Sequence, residues 1–146
     1  MLEDLILYQK MYDLIKYSFP VLNNFPKSQK FVLAQQIENT FLKMLDLIVT
    51  ANKLKSKART LFLLDVELQK AKTLVRLAVD LRFMSIKRYG IFSEKLAEIG
   101  RLIGGWSRKK ADRAAGLPSR NKKAHSNAPA YEKPHSNAAA TFELCL

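Results

Sequence analysis

The chain has 146 residues, 48% of them hydrophobic, and its 25 Lys and Arg against 13 Asp and Glu give a formal net charge of +12. That length suits one domain with a core, and the charge favours a polyanion such as nucleic acid, although an acidic protein or an anionic lipid satisfies the same electrostatics. Residues 1–106 contain no His and no Cys, which excludes the commonest general base, the cysteine nucleophile and most zinc ligands from the predicted domain. Composition therefore favours binding over catalysis.

The only Cys, Cys145, and both His residues, His125 and His135, lie near the C-terminus. A disulfide framework or a Cys/His metal site therefore cannot form within the predicted domain. The acidic start at residues 1–4 lacks the basic stretch of a secretory signal, and no apolar run approaches the ~20 residues that span a bilayer. We expect a cytoplasmic protein without a membrane-spanning segment, a metal or a cofactor.

The first two predicted helices are amphipathic. The first covers residues 2–19 and ends at Pro20, and a turn over residues 21–27 leads to Ser28, the predicted N-cap of a second helix that reaches about residue 52. The apolar stripe of the first helix consists of Leu5, Tyr8, Tyr12, Ile15 and Phe19. The core-facing side predicted for the second consists of Ile37, Phe41, Met44, Leu45 and Ile48.

The third helix is predicted over about residues 58–88 and the fourth from Ser93 to about Trp106, with a stop at residues 89–90 between them. The fourth helix turns Phe92, Leu96, Ile99 and Ile103 inward. The third is apolar on more than one side, which predicts that protomers associate through it. Its second apolar row consists of Leu74, Leu77, Leu81 and Met84.

These segments predict an all-α protein, an up-down four-helix bundle over residues 1–110. Residues 111–146 are rich in Ala, Asn, Ser, Pro and basic residues, and the sequence His-Ser-Asn-Ala occurs at 125–128 and again at 135–138. Such composition offers little apolar surface to bury, so it predicts a disordered, basic, low-complexity tail.

Bundle topology predicts where the cations gather. In an up-down-up-down bundle, the turn between the second and third helices lies at the same end as the finish of the fourth helix. We call this end the basic pole. It comprises Lys53, Lys55, Lys57, Arg59, Arg101, Arg108, Lys109, Lys110 and Arg113. The alternative is a solvated end whose lysines only maintain solubility.

The opposite pole carries a smaller cationic patch, formed by Lys27, Lys30, Lys87 and Arg88, close to Tyr89 and Phe92. One interpretation is that these rings stack on nucleic-acid bases. Packing into the core is the favoured reading, because aromatic residues at helix ends usually pack there.

Two further charged features do not point to catalysis. Arg82 falls within the apolar arc of the third helix, where an interface salt bridge is favoured over a cation facing the central channel of an oligomer. Its candidate partners are Asp65, Glu67 and Asp80. Glu94 and Glu98 share one helix face, but without His they are better explained as a solvated surface than as a di-metal site. No catalytic or metal-binding residue is predicted.

The segment Glu98–Trp106 contains Gly-Arg-x-x-Gly-x-Trp and follows Val79-Asp80-Leu81-Arg82-Phe83-Met84. Together these resemble the C-terminal signature of the accessory variability determinant (Avd) proteins of diversity-generating retroelements, and the resemblance extends over about residues 1–110. The bundle is also similar to proteins encoded in intervening sequences of ribosomal RNA genes. Avd proteins typically finish soon after the Trp, whereas this chain continues for forty residues.

The Avd resemblance implies a non-catalytic basic protomer that assembles as a ring-like pentamer and binds both nucleic acid and the retroelement's reverse transcriptase. The nucleic acid would be the template RNA or an RNA:DNA intermediate. Charge geometry selects the nucleic-acid-binding candidates, which are Lys53, Lys55, Lys57, Arg59, Arg76, Arg82, Arg101, Arg108, Lys109 and Lys110. The alternative is a protein-interaction module, akin to the ribosomal intervening-sequence proteins, that binds an acidic partner.

Overall fold

The structure is a computed structural model that describes residues 2–114 and residue 116, with side chains described for residues 5–109 and 116. Its described residues form four helices and no strand, which confirms the predicted all-α bundle. These helices are α1 (Leu2–Asn23), α2, α3 (Ala58–Asp80) and α4 (Ile86–Ala114). Helix α2 is built from an α-helical turn (Lys27–Gln29), a π-helical turn (Lys30–Ala34) and a longer α-helix (Gln35–Lys53). Cys145, His125, His135 and most of the predicted tail lie outside the described residues.

The helices close into a four-membered bundle. Helix α2 packs on α1 and α3, and α4 packs on α3 and α1, so α1 and α3 occupy diagonal corners. Short connections make successive helices antiparallel. Phe92 of α4 is fully buried, and its ring centroid lies 5.2 Å from that of Tyr17 and 6.2 Å from that of Phe41. One aromatic side chain of α4 thereby contacts both α1 and α2. The described helices include none that is long and apolar enough to cross a membrane.

Helix α1 continues through Pro20 to Asn23, so the predicted stop at Pro20 is wrong. A proline inside a helix costs about 3 kcal/mol, because its nitrogen cannot donate and its ring crowds the preceding turn. Continuing the helix buries Val21 and Leu22, and full burial of each such side chain contributes about 1.5–3 kcal/mol. The two buried side chains together outweigh one missing hydrogen bond near the helix end.

The buried side of α1 also differs from the stripe singled out in the sequence. Leu7, Met11, Leu14, Ser18 and Leu22 are buried, and the Ser18 hydroxyl donates a hydrogen bond to the Ile15 carbonyl at 2.8 Å. The predicted stripe lies mainly at the surface, where Leu5 is 64% exposed and Tyr12 49%. Helix α1 has two apolar stripes at three-four spacing, and the aliphatic one enters the core. The aromatic one stays largely exposed among the described residues of the protomer.

Helix α3 ends at Asp80, eight residues earlier than predicted. The Phe83 N–H donates to the Ala78 carbonyl at 2.9 Å and the Arg82 N–H to the Val79 carbonyl at 3.0 Å. This pair of bonds is the Schellman motif that ends many helices, and Arg82 occupies its left-handed position with a φ of 63°. Glycine usually occupies this position. Because Arg82 occupies it here, the sequence lacks the usual signal for the end of a helix.

The N-caps of α2 and α4 also differ from prediction. Pro26, not Ser28, precedes the first turn of α2. Ser85 caps α4, since its Oγ accepts a hydrogen bond from the Arg88 N–H at 3.3 Å. The predicted stop at residues 89–90 and the predicted cap at Ser93 therefore lie inside α4.

Candidate nucleic-acid interface

The turn that joins α2 to α3, together with the helix ends on either side of it, carries four of the candidate cations. Lys53, Lys55 and Arg59 are exposed. The ammonium of Lys57 lies 4.7 Å from the centroid of the Trp106 ring, a cation–π contact between this turn and α4. The structure therefore brings the α2–α3 turn against the C-terminal part of α4, as the bundle topology predicts.

The remaining cations of the basic pole lie on α4. Arg101, Arg108 and Lys109 are exposed. Lys110 and Arg113 belong to α4, but their side chains lie outside the described part of the chain.

Arg76 and Arg82 lie away from the basic pole, toward the far end of α3, a helix of 23 residues and therefore about 33 Å long. Arg76 Nε donates to Asp80 Oδ2 at 3.2 Å on an exposed surface. The hydrogen bond and charge of Asp80, together with Tyr89, raise the pKa of Arg76 above its usual value. Arg82 lies in the turn after α3 and is exposed, so its predicted place within the apolar arc of a helix is wrong.

A groove between α3 and α4, here the α3–α4 groove, adds a cation that sequence reasoning missed. It has a volume of about 610 Å³. Its lining residues are Asp65, Leu68, Gln69, Lys72, Ala97, Gly100, Arg101, Gly104 and Arg108. Lys72 continues a polar stripe on α3 at three-four spacing, with Asp65, Gln69 and Arg76. That stripe was the available signal, but only the packing of α4 shows that Lys72 lines the same groove as Arg101 and Arg108.

A buried ion-pair cluster joins α2 to α3. The Glu67 side chain is 7% exposed, and its Oε1 lies 2.9 Å from Lys43 Nζ and 3.0 Å from Lys70 Nζ. Burial alone raises the pKa of Glu67, but hydrogen bonds and charge from the two lysines outweigh burial and hold the pKa below its ordinary value. Both lysines remain more than half exposed. Glu67 and Asp80 thus already have cationic partners other than Arg82.

At the opposite pole, Phe92 is fully buried and Tyr89 packs against the core in a half-buried position. Phe92 therefore cannot stack on a nucleic-acid base. The favoured interpretation, packing into the core, is confirmed for both rings.

Helices α1, α2 and α3 all expose large apolar side chains; those of α2 are Phe31, Val32, Leu42 and Val49, which are 42–81% exposed. The α1 row consists of Leu5, Tyr8, Tyr12 and Phe19, which are 36–64% exposed. The α3 row consists of Leu63, Leu77 and Leu81, which are 42–49% exposed. Two members of the predicted second row on α3 are less accessible, since Leu74 is half-buried and Met84 is buried. Because α1 and α3 lie at diagonal corners, the two exposed rows face different sides of the bundle.

The fold and its charge distribution define a basic four-helix-bundle protein with cations gathered at one end and along one groove. Within the described residues, no group of three or more His, Cys, Asp and Glu could hold a metal ion. A family model described as bAvd-like matches residues 5–110. The chain belongs to this family, the accessory variability determinant proteins of diversity-generating retroelements. Comparison with curated proteins gave no match.

Proposed function

We propose that the protein is a non-catalytic subunit that binds nucleic acid and the reverse transcriptase of its retroelement, as a homopentamer, to support mutagenic retrohoming. The observation that carries the proposal is the contact between the α2–α3 turn and α4. That contact places two basic segments of a bAvd-like chain at one end of the bundle. A protomer with a formal charge of +12 attracts polyanions over distances comparable to the Debye length.

Binding is led by charge and shape. Exposed Lys and Arg side chains neutralise phosphates and release condensed counterions, so affinity falls steeply as salt rises and depends little on base identity. The template RNA or an RNA:DNA intermediate is the expected ligand.

Assembly into a ring is supported by the exposed apolar rows of α1 and α3. A closed ring uses a head-to-tail interface, in which each protomer presents one surface to its neighbour on one side and a different surface on the other. The α1 row and the α3 row face different sides of the bundle, as such an interface requires. We therefore assign the ring contact to the α1 row of one protomer and the α3 row of the next.

The nucleic-acid part of the proposal is tested by charge reversal at the basic pole. We would compare the double variant Lys53→Glu/Lys55→Glu with Lys27→Glu/Lys30→Glu, which makes the same charge change at the opposite pole. RNA binding is measured by fluorescence anisotropy, and polymerase association by co-purification with the reverse transcriptase. We expect Lys53→Glu/Lys55→Glu to lose RNA binding but to remain associated with the reverse transcriptase. Lys27→Glu/Lys30→Glu should retain RNA binding. Unchanged RNA affinity in the first variant contradicts the proposal.

The exposed apolar rows also suit a second candidate, a protein-interaction module like those encoded in ribosomal RNA intervening sequences. If the first variant loses only the polymerase, the basic pole is a protein interface. Light scattering at two salt concentrations gives an independent discrimination. A five-protomer particle that gains RNA mass at low salt and loses it at high salt supports the retroelement proposal, whereas a monomer indifferent to RNA supports the interaction module.

A further inference from the structure

We propose that the α3–α4 groove holds one sugar-phosphate strand of the nucleic acid, with Lys72, Arg101 and Arg108 contacting its phosphates and the strand passing over Gly104. The inference rests on the proposed function for the class of ligand. It adds a path for the strand and two residues, Lys72 and Gly104, that charge at the basic pole does not identify.

The three cations line opposite walls of the groove. Arg101 and Arg108 are seven residues apart on α4, which places them on the same side of the helix and about 10 Å apart along its axis. That length corresponds to about three nucleotides of one strand at the ~3.4 Å axial rise of a base-paired helix. Lys72 approaches from α3, and its Nζ lies 3.8 Å from the position a Cβ would take at Gly100. The groove is therefore cationic on both sides.

Two glycines form the α4 side of the groove floor, and they differ in what they permit. A Cβ at Gly100 would lie 3.2 Å from Leu68 Cδ2, so this glycine allows α3 and α4 to pack closely. A Cβ at Gly104 would meet no atom of the described residues within 4 Å, although Gly104 lines the groove. Contact between the helices thus does not require a glycine at position 104, where glycine costs about 1 kcal/mol relative to alanine. Its effect is to leave the groove open to a ligand's backbone.

The composition of the groove favours a phosphate strand over an acidic peptide. Arginine guanidinium groups match phosphate oxygens in bidentate geometry. A docking peptide needs apolar anchors, but Leu68 is 1% exposed and offers no apolar pocket. Among the described residues, Asp65 is the one acid that lines the groove, and it opposes a phosphate nearby. Its removal should therefore strengthen binding.

The test uses two neighbouring glycines in the full chain. Gly104→Gln fills the groove, whereas Gly105→Gln points about 100° further round the helix and also meets nothing within 4 Å. Both changes replace a helical glycine, so both proteins should melt at the wild-type temperature or above it. With a labelled single-stranded RNA, we expect Gly104→Gln to bind about tenfold more weakly, the loss of one charged contact. Gly105→Gln should bind as wild type does.

Two charge variants supply a second readout. Lys72→Gln should weaken RNA binding and reduce the slope of log affinity against log salt by about 0.7, the value for one phosphate contact on a single strand. Asp65→Asn should tighten binding. The groove assignment is wrong if Gly104→Gln and Gly105→Gln both bind RNA with wild-type affinity. In that case, loss of RNA binding in Lys53→Glu/Lys55→Glu would still support the proposed function. If wild type binds no RNA, the proposed function itself fails. Poly-glutamate serves as an acidic-peptide probe. If Gly104→Gln no longer binds poly-glutamate but binds RNA as wild type does, the groove is a peptide site and the inference is wrong.

Discussion

At the scale of single residues, Glu67 connects burial, charge and pH. The carboxylate is almost fully enclosed, and its two lysine partners come from both helices that border it, α2 and α3. Because its pKa is lowered from the ordinary value of 4.5, the unfolded chain takes up the proton first as pH falls. The ionised carboxylate therefore stabilises the fold above about pH 4.5, and this contribution is lost as pH falls through the lowered pKa.

We predict that Glu67→Gln lowers the free energy of unfolding by about 1–3 kcal/mol at pH 7, because a buried charged group loses its hydrogen bonds to two lysines. The difference from wild type should shrink below pH 4.5 and vanish once Glu67 itself is protonated. Urea unfolding across this pH range measures it. The control is Asp65→Asn, an exposed acid on the same helix, with an expected change within about 0.5 kcal/mol. A deficit that stayed constant down to pH 3 would contradict the ionic account.

Arg82 has a conformation that normally favours glycine. A left-handed backbone costs a non-glycine residue about 1–2 kcal/mol, a cost that glycine avoids. Glycine also increases the conformational entropy of the unfolded chain, which offsets part of that gain. We predict that Arg82→Gly raises the free energy of unfolding by about 0.5–1 kcal/mol, and that Arg82→Val lowers it. Thermal unfolding measures both. If Arg82→Gly also weakens RNA binding, the Arg82 side chain contacts RNA although its backbone is strained. If Arg82→Gly binds RNA as wild type does, the role of Arg82 is limited to the turn.

At the level of secondary-structure elements, Pro20 and Pro26 have different positions relative to the helices. Pro20 lies inside α1, while Pro26 precedes α2 with a φ of −52°, an angle that proline favours. The Pro26 carbonyl accepts hydrogen bonds from the N–H groups of Gln29 and Lys30. The same residue type therefore opposes one helix and starts the other.

We predict that Pro20→Ala raises the free energy of unfolding by about 1–2 kcal/mol, since alanine restores a backbone donor for the last turns of α1. The matched control, Pro26→Ala, should leave stability unchanged or lower it by about 0.4–1 kcal/mol, because the proline there restricts the unfolded chain without strain. Denaturant unfolding of both variants gives the comparison. If Pro20→Ala is the less stable of the two, the helix does not gain from the restored donor.

At the scale of the whole molecule, the bundle separates apolar and cationic surfaces. Exposed apolar side chains lie on α1, α2 and α3. The basic pole lies at the α2–α3 turn and the end of α4, and the α3–α4 groove extends the cations along the bundle. A ring built through the α1 and α3 rows would repeat the cationic surfaces around its axis.

The head-to-tail assignment makes a specific prediction for mixtures. Tyr12→Lys damages only the α1 row and Leu77→Lys only the α3 row, so each protein alone should fail to form rings. When the two variants are mixed in equal amounts, one interface is intact, because the α1 row of Leu77→Lys can pack against the α3 row of Tyr12→Lys. The mixture should therefore form heterodimers but no rings. Light scattering of each variant and of the mixture decides the matter. Gln9→Lys, an exposed polar position of α1, should assemble as wild type does. Self-association of the Leu77 variant through α1 alone would show a two-fold interface instead.

The four helices, their antiparallel order and the convergence of the α2–α3 turn with the end of α4 could be predicted from the sequence. These features follow from apolar periodicity and short connections, which are local. Which stripe of α1 is buried, whether that helix continues through Pro20, and where α3 ends depend instead on packing between helices. The sequence contains two competing stripes on α1 and an arginine at a glycine position, and packing chooses between the alternatives. Lys72 opposite Arg101, and Glu67 between Lys43 and Lys70, depend on the register of one helix against another, which no periodicity within a single helix specifies.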